Sequence, residues 1–149
     1  MTFTVVRFLA VALTALALVP GGAHFFELVS KIDLPQEQYF TIQNIYRGWA
    51  LFGFVWFGAL AANLALTGLL RNQPRPFWLA LLGSILVTGV LVIFFTLTYP
   101  ANQATSKWTV APDNWRALRT QWEYSHAVNA LLTFAALCSV TLSALTARA

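Results

Sequence analysis

The sequence predicts an all-α integral membrane protein, a bundle of four transmembrane helices with almost no soluble domain. Three observations predict it. Of 149 residues, 58% are hydrophobic and only 9% are charged, against ~25% charged in soluble domains, so the chain cannot cover itself with a hydrated surface. Four apolar stretches come close to the ~20 residues that cross a bilayer, and backbone in hydrocarbon must satisfy its hydrogen bonds within a helix. Together they use most of the chain, leaving room for a single domain, residues 1–149.

The first span is expected over 5–29. One face carries Ala10, Thr14, Ala17 and Gly21, small enough for a neighbouring helix to approach closely, and Pro20 can bend the helix. Arg7, the apolar run and Gly21-Gly22-Ala23 also fit a secretory signal with its cleavage site. The run is long for a signal, however, and Pro20 with the glycines fits a kinked helix end. The second span is expected over 46–70, with an isolated Asn63 as an interhelical hydrogen-bonding residue. The segment RNQPRP, Arg71 to Pro76, is a short turn with two prolines that makes the second and third spans antiparallel neighbours. The third span covers 77–99 and the fourth 114–146, with Asp113 as N-cap and the apolar part from about 124 to 145. A helix of that length is about 50 Å long and overshoots the ~30 Å hydrocarbon core, so it extends beyond the membrane at its N-terminal end. The single cysteine, Cys138, excludes an intrachain disulfide and Cys-x-x-Cys chemistry and reads as a packed residue.

Four spans put both termini on one side with loop 2, and loops 1 and 3 on the other. Arg7, Arg71, Arg75 and Arg148 fall on the terminal side with no acid, while Glu27, Asp33, Glu37, Asp113 and Glu123 all fall opposite. The opposite side also holds five basic residues, so the count is nearly tied. The very short loop 2, where the positive-inside rule works best, favours cytoplasmic termini in a bacterial inner membrane. The Lys and Arg residues are dispersed, and no nucleic-acid surface is expected. The lipid bilayer and a lipophilic small molecule are the expected partners, and a homo-oligomer is left open.

Polar residues converge on the outer end. Trp115, Arg119, Trp122, His126 and Asn129 are spaced four, three, four and three, which puts them on one helical stripe, with Glu123 beside it. On the first span His24 and Glu27 share a face. Tyr46 and Arg47 open the second span, and Asn102 follows the third. The bland reading is an interfacial helix with tryptophans in the aromatic belt and Arg119 paired to Glu123. For His126 and Asn129, deeper in the apolar run, an internal role is favoured. His24 and His126 lie at matched depth, each three residues from a carboxylate, and are expected within about 10 Å of each other in one cavity.

Three chemistries compete. The first needs no cofactor: a histidine acts as general base, and arginine and asparagine stabilise an oxyanion. His126 is the leading base because Glu123, one turn away, can orient it. In the second, His24, Glu27, Glu123 and His126 bind one metal ion. In the third, the two imidazoles ligate a haem b. The carboxylate di-metal pattern is excluded, because it needs an acid from each of the other two helices. A lipid-binding, transport or accessory subunit is the non-enzymatic alternative.

Gly22-Ala23-His24, Ile45-Tyr46-Arg47-Gly48-Trp49, Tyr99-Pro100-Ala101-Asn102-Gln103, and Asn114-Trp115 with Arg119, Trp122-Glu123 and His126 resemble a family of small four-helix bacterial membrane proteins. That family is similar to the anthrone oxygenases, and the Asn, Trp, Arg, Trp and His opening the fourth span are the most specific part. The resemblance implies an oxygenase that converts a polycyclic phenolic anthrone to an anthraquinone without metal or flavin. It implies His126, Glu123, Arg119 and His24 as catalytic residues. Tyr46, Arg47, Asn102, Trp115 and Trp122 would line the substrate, and the convergence of polar residues, apart from the resemblance, adds Glu27 and Asn129. Better-known members often carry an arginine where this chain has Asn129.

Overall fold

The computed structural model describes residues 2–148. All of its regular elements are helical, with no strand among the described residues. The elements are α1 (Thr2–Lys31), α2 (Gln36–Ile42), α3 (Phe52–Leu69), α4 (Pro74–Ile93), α5 (Tyr99–Ala104) and α6 (Trp115–Thr146). Four helical runs, Thr2–Lys31, Trp49–Leu69, Pro74–Ala104 and Trp115–Thr146, are long and apolar enough to cross a membrane. The long helices form a ring in which α1 packs on α3, α3 on α4, α4 on α6 and α6 on α1. Their outer faces carry Phe8, Phe26, Phe54, Ile85, Phe134 and Leu145.

The interior is made of small and hydroxylated residues, which lets backbones approach. On α1 the buried residues are Ala10, Thr14, Ala17, Pro20, Gly21, His24 and Lys31, the stripe expected from spacing with Pro20 and Lys31 added and Glu27 half-buried. A Cβ on Gly21 would lie 3.4 Å from the Ala130 Cα, so α1 and α6 touch through backbone there. Asn63 donates to Thr14 Oγ1 at 2.9 Å, which ties α3 to α1 as its isolation suggested. Ser139 and Ser143 of α6 donate to the carbonyls of Leu79 and Pro76 on α4, at 2.9 and 2.7 Å. At the terminal end, Arg7 donates to the carbonyls of Ala144 and Ala147. Gln73 exchanges two hydrogen bonds with the Arg148 backbone. Loop 2 and both chain ends therefore meet on one side.

The opposite end departs from the sequence reading in five ways. α1 runs two residues past 29, carrying Lys31 inside. The second span does not begin at 46. The chain makes 3-10 turns over Gln43–Tyr46 and Trp49–Leu51, broken at Gly48 (φ +90°), before α3 starts at Phe52. Loop 1 is not open but folds as α2, a strap across the end of the bundle. The third span continues past 99. A π turn over Phe94–Thr98, closed by the Tyr99 amide on the Phe94 carbonyl, leads into α5, with Pro100 in its first turn where no amide is needed. α6 begins at Trp115 rather than at 114, and Asp113 does not cap it. The cap position is Asn114, with no side-chain cap bond. Cys138 is exposed on the outer face rather than packed.

Candidate functional site

The site forms where α1 ends and α6 begins, beneath the strap. His24, Glu27 and Lys31 are spaced three and four apart on one face of α1, which turns them together toward α6. His24 and Lys31 are each 3% exposed. From α6 the whole stripe of Trp115, Arg119, Trp122, His126 and Asn129 is buried, and Glu123 is fully buried.

Lys31 is the hub. Its Nζ lies 3.3 Å from Glu27 Oε2 and 3.3 Å from Glu123 Oε1. It donates to Tyr46 Oη at 2.7 Å and faces His24 Nδ1 at 3.4 Å. An ammonium has only donors, so His24 Nδ1 accepts and its Nε2 carries the proton. The strap adds Tyr39, whose hydroxyl donates to Glu123 Oε1 at 2.9 Å, and the following 3-10 turn brings the Tyr46 hydroxyl onto Glu27 Oε2. Burial, reinforced by Glu123, pushes the Tyr39 phenol above its ordinary value, and burial with Glu27 does the same to Tyr46. Both phenols therefore stay protonated donors.

The two imidazoles lie against each other, ring centroids 4.1 Å apart and planes inclined by 34°. Trp122 stands edge-on to both, 4.8 Å from His24 and 4.3 Å from His126. Tyr46 closes the other side of His24 at 4.3 Å. Above lies an aromatic layer in which Trp108 contacts Tyr39 at 5.2 Å and Trp122 at 5.6 Å. Trp108 gets there through three successive left-handed residues, Ser106, Lys107 and Trp108, with φ of 47°, 59° and 64°. Such conformations cost ~1–3 kcal/mol each and cluster at functional sites.

One edge of α6 lacks partners. Trp122 Nε1, Glu123 Oε2, His126 Nδ1 and both amide atoms of Asn129 are buried with no hydrogen bond among the described residues. Each such atom costs ~1–3 kcal/mol, so together they make a strip of polar groups that the fold leaves unanswered.

The structure brings together His24, Glu27, Tyr46, Trp122, Glu123, His126 and Asn129. Trp115 packs with Tyr39 and Phe40 rather than with the histidines, and three other expected members stand apart. Arg47 is exposed and donates to Asn44 Oδ1 at 3.0 Å, because the break at Gly48 turns it outward. Asn102 accepts from the Trp108 indole at 3.1 Å and so supports the aromatic layer. Arg119, stacked over Trp115 and Tyr39, donates to the Leu34 carbonyl at 2.7 Å and so fastens the strap. The Arg119–Glu123 pair does not form, and Glu123 turns to Lys31 and Tyr39 instead of orienting His126.

Lys31, Tyr39 and Trp108 went unread in the sequence. Lys31 had a signal, since it extends the His24–Glu27 spacing by one turn. Tyr39 and Trp108 had none, because a strap and a left-handed run leave no periodic mark.

Among the described residues no three His, Cys, Asp or Glu side chains are arranged to hold a metal ion. The Lys31 ammonium occupies the position between the carboxylates where a cation would sit. The touching imidazole rings leave no room for a porphyrin plane between them. No family model, no curated protein and no solved structure matches this chain.

Proposed function

We propose that this chain is a multi-pass protein of the bacterial inner membrane, termini on the cytoplasmic side, that binds a lipophilic aromatic or quinone-like molecule at its outer end and oxidises it with dioxygen. The observation that carries the reading is the unpartnered strip of Trp122 Nε1, His126 Nδ1 and the Asn129 amide beside the buried ammonium of Lys31. A substrate oxygen accepts from Trp122 and Asn129, and its ring stacks on the aromatic layer. An activated methylene then meets a base beside fixed hydrogen-bond donors, the arrangement that stabilises an enolate.

In this scheme His126 removes a proton from the methylene carbon, and the unpartnered donors of Trp122 and Asn129 hold the negative charge that spreads to the substrate oxygen. The electron-rich carbanion adds dioxygen, and the protonated histidine returns its proton to give a hydroperoxide. Loss of water leaves a ketone, so one dioxygen is consumed, one atom entering product and one leaving as water. Trp122 and Asn129 take the place that the sequence reading gives to arginine, and no metal or flavin is required. The resemblance to the anthrone oxygenases supports the same substrate class.

The test is oxygen uptake and product analysis with anthrone-type phenols and the full chain in lipid vesicles. Turnover is expected, and His126→Ala should reduce it by ~10²–10⁴-fold while the helical spectrum stays unchanged. A broad aromatic screen with neither binding nor oxygen uptake would leave an accessory or lipid-binding protein in its place.

A further inference from the structure

The end opposite the histidines carries a groove that the site chemistry does not use. It is about 460 Å³ in volume and lies between α4 and α6, lined by Arg75, Trp78, Leu79, Leu82, Leu142 and Thr146. Positions 75, 78, 79 and 82 follow the spacing of one helix face. The groove therefore starts at Arg75 on the terminal end and runs about two turns, ~10 Å, toward the middle of the span. Its floor is open: Trp78 is 65% exposed, Leu142 51% and Leu82 46%.

The charge at its mouth is unanswered. Arg75 is exposed and makes no ion pair or hydrogen bond among the described residues. Its neighbours at that end are Arg7, Arg71 and Arg148, and every acid of the chain lies toward the other end. Arg7 is committed to the carbonyls that close α6. A planar guanidinium at the head of an apolar channel suits a phosphate joined to a hydrocarbon chain, and an indole beside it sits as tryptophans do at headgroup depth. Basic pockets between spanning helices are the general form of anionic lipid sites. A second copy of the chain fits less well, because six residues are far fewer than the ~20–30 per side of a stable interface.

We infer that this groove holds an anionic phospholipid, its phosphate on Arg75 and one acyl chain along Trp78, Leu79, Leu82 and Leu142. The inference rests on the membrane reading above and is independent of the histidine chemistry.

Native mass spectrometry of the full chain in mild detergent tests it, with added phosphatidylglycerol or phosphatidylcholine of matched chains. Phosphatidylglycerol should be retained about tenfold better. Arg75→Gln should bring it down to the phosphatidylcholine level, and Arg71→Gln, outside the groove, should not. Leu82→Trp, which fills the channel, should lower retention of both lipids. Equal retention of the two lipids, an unchanged Arg75→Gln, displacement by soluble glycerol phosphate, or a dimer that shields Trp78 from an aqueous quencher would each overturn the lipid site. Alkaline extraction of membranes separates the two failures. A chain that stays with the membrane but fails the lipid test sinks this inference alone, and a chain released by extraction sinks the membrane reading with it.

Discussion

An ammonium at 3% exposure must have its charge answered within a few ångströms, and Lys31 is answered by Glu27, Glu123, Tyr46 and His24. A buried pair of this kind adds little net stability, but losing one member strands the other. Lys31→Met should therefore destabilise the fold by ~3–5 kcal/mol in a denaturant titration in micelles, because Glu123 keeps only Tyr39. Adding Glu123→Gln should recover part of that loss. Glu27, whose side chain is 38% exposed, should matter less, and Glu27→Gln should cost under ~1 kcal/mol. A double variant no more stable than Lys31→Met would show that the charge pair is not the reason. The phenols give a second test at this scale. Tyr39 and Tyr46 have pKa values raised by burial and by the carboxylates, so the folded state keeps their protons to higher pH than the unfolded one. Stability from them is intact below ~10, the unfolded value, and falls as pH rises beyond it. Alkaline titration by ultraviolet absorption should find Tyr39 and Tyr46 ionising only as helicity is lost. Ionisation of all four in a fully helical chain would contradict the packing of Tyr39 and Tyr46. The histidine pair was legible because it lay at matched depth on the first and fourth spans. Lys31 was missed because the apolar run stops before the helix does, so hydropathy ended α1 too early.

Helices in this bundle are held by what is absent from their faces as much as by what is present. At Gly21 the α6 backbone sits 3.4 Å from where a Cβ would be, so Gly21→Leu should push α1 from α6, costing ~1–3 kcal/mol and separating His24 from His126. Gly22, one residue on, has nothing within 4 Å of its Cβ position. Gly22→Ala should therefore be neutral or stabilising by up to ~1 kcal/mol, the helix-propensity difference. Thermal unfolding of the two variants checks the contrast, and equal effects would remove the close α1–α6 approach. The small-residue stripe of α1 was readable from spacing because helical period and packing obey the same 3.6-residue repeat. The boundaries at the histidine end were not. Gly48 at φ +90°, the π turn before Pro100 and the strap carrying Tyr39 each break that repeat. They are set by the contacts of Tyr39, Arg119 and Trp122 across the bundle end, which local sequence does not record.

Across the whole molecule the two ends have opposite characters. One gathers arginines around loop 2 and the chain ends; the other gathers every acid, both histidines and the aromatic layer. The asymmetry was visible in the sequence, and the contacts of Arg7 and Gln73 with the last turn of α6 and the residues after it place loop 2 and both chain ends on one side. The proposed orientation follows from where the charge can be answered. Lys31 and Arg119, counted naively as outer-side cations, are both buried, Lys31 on carboxylates and Arg119 on aromatic rings and a carbonyl. Arg71, in the short turn before α4, and Arg75, in the first turn of α4, are exposed with no acid beside them. Once the internal pair is removed from the tally, the positive-inside rule points to the terminal end as cytoplasmic. Single-cysteine labelling in a Cys138→Ala background tests it, and that background is required because Cys138 is exposed. In intact cells a membrane-impermeant maleimide should label Gln103→Cys and spare Gln73→Cys until the membrane is opened. The reverse pattern would invert the molecule, put the histidine site on the cytoplasmic side, and require its substrate to arrive from within.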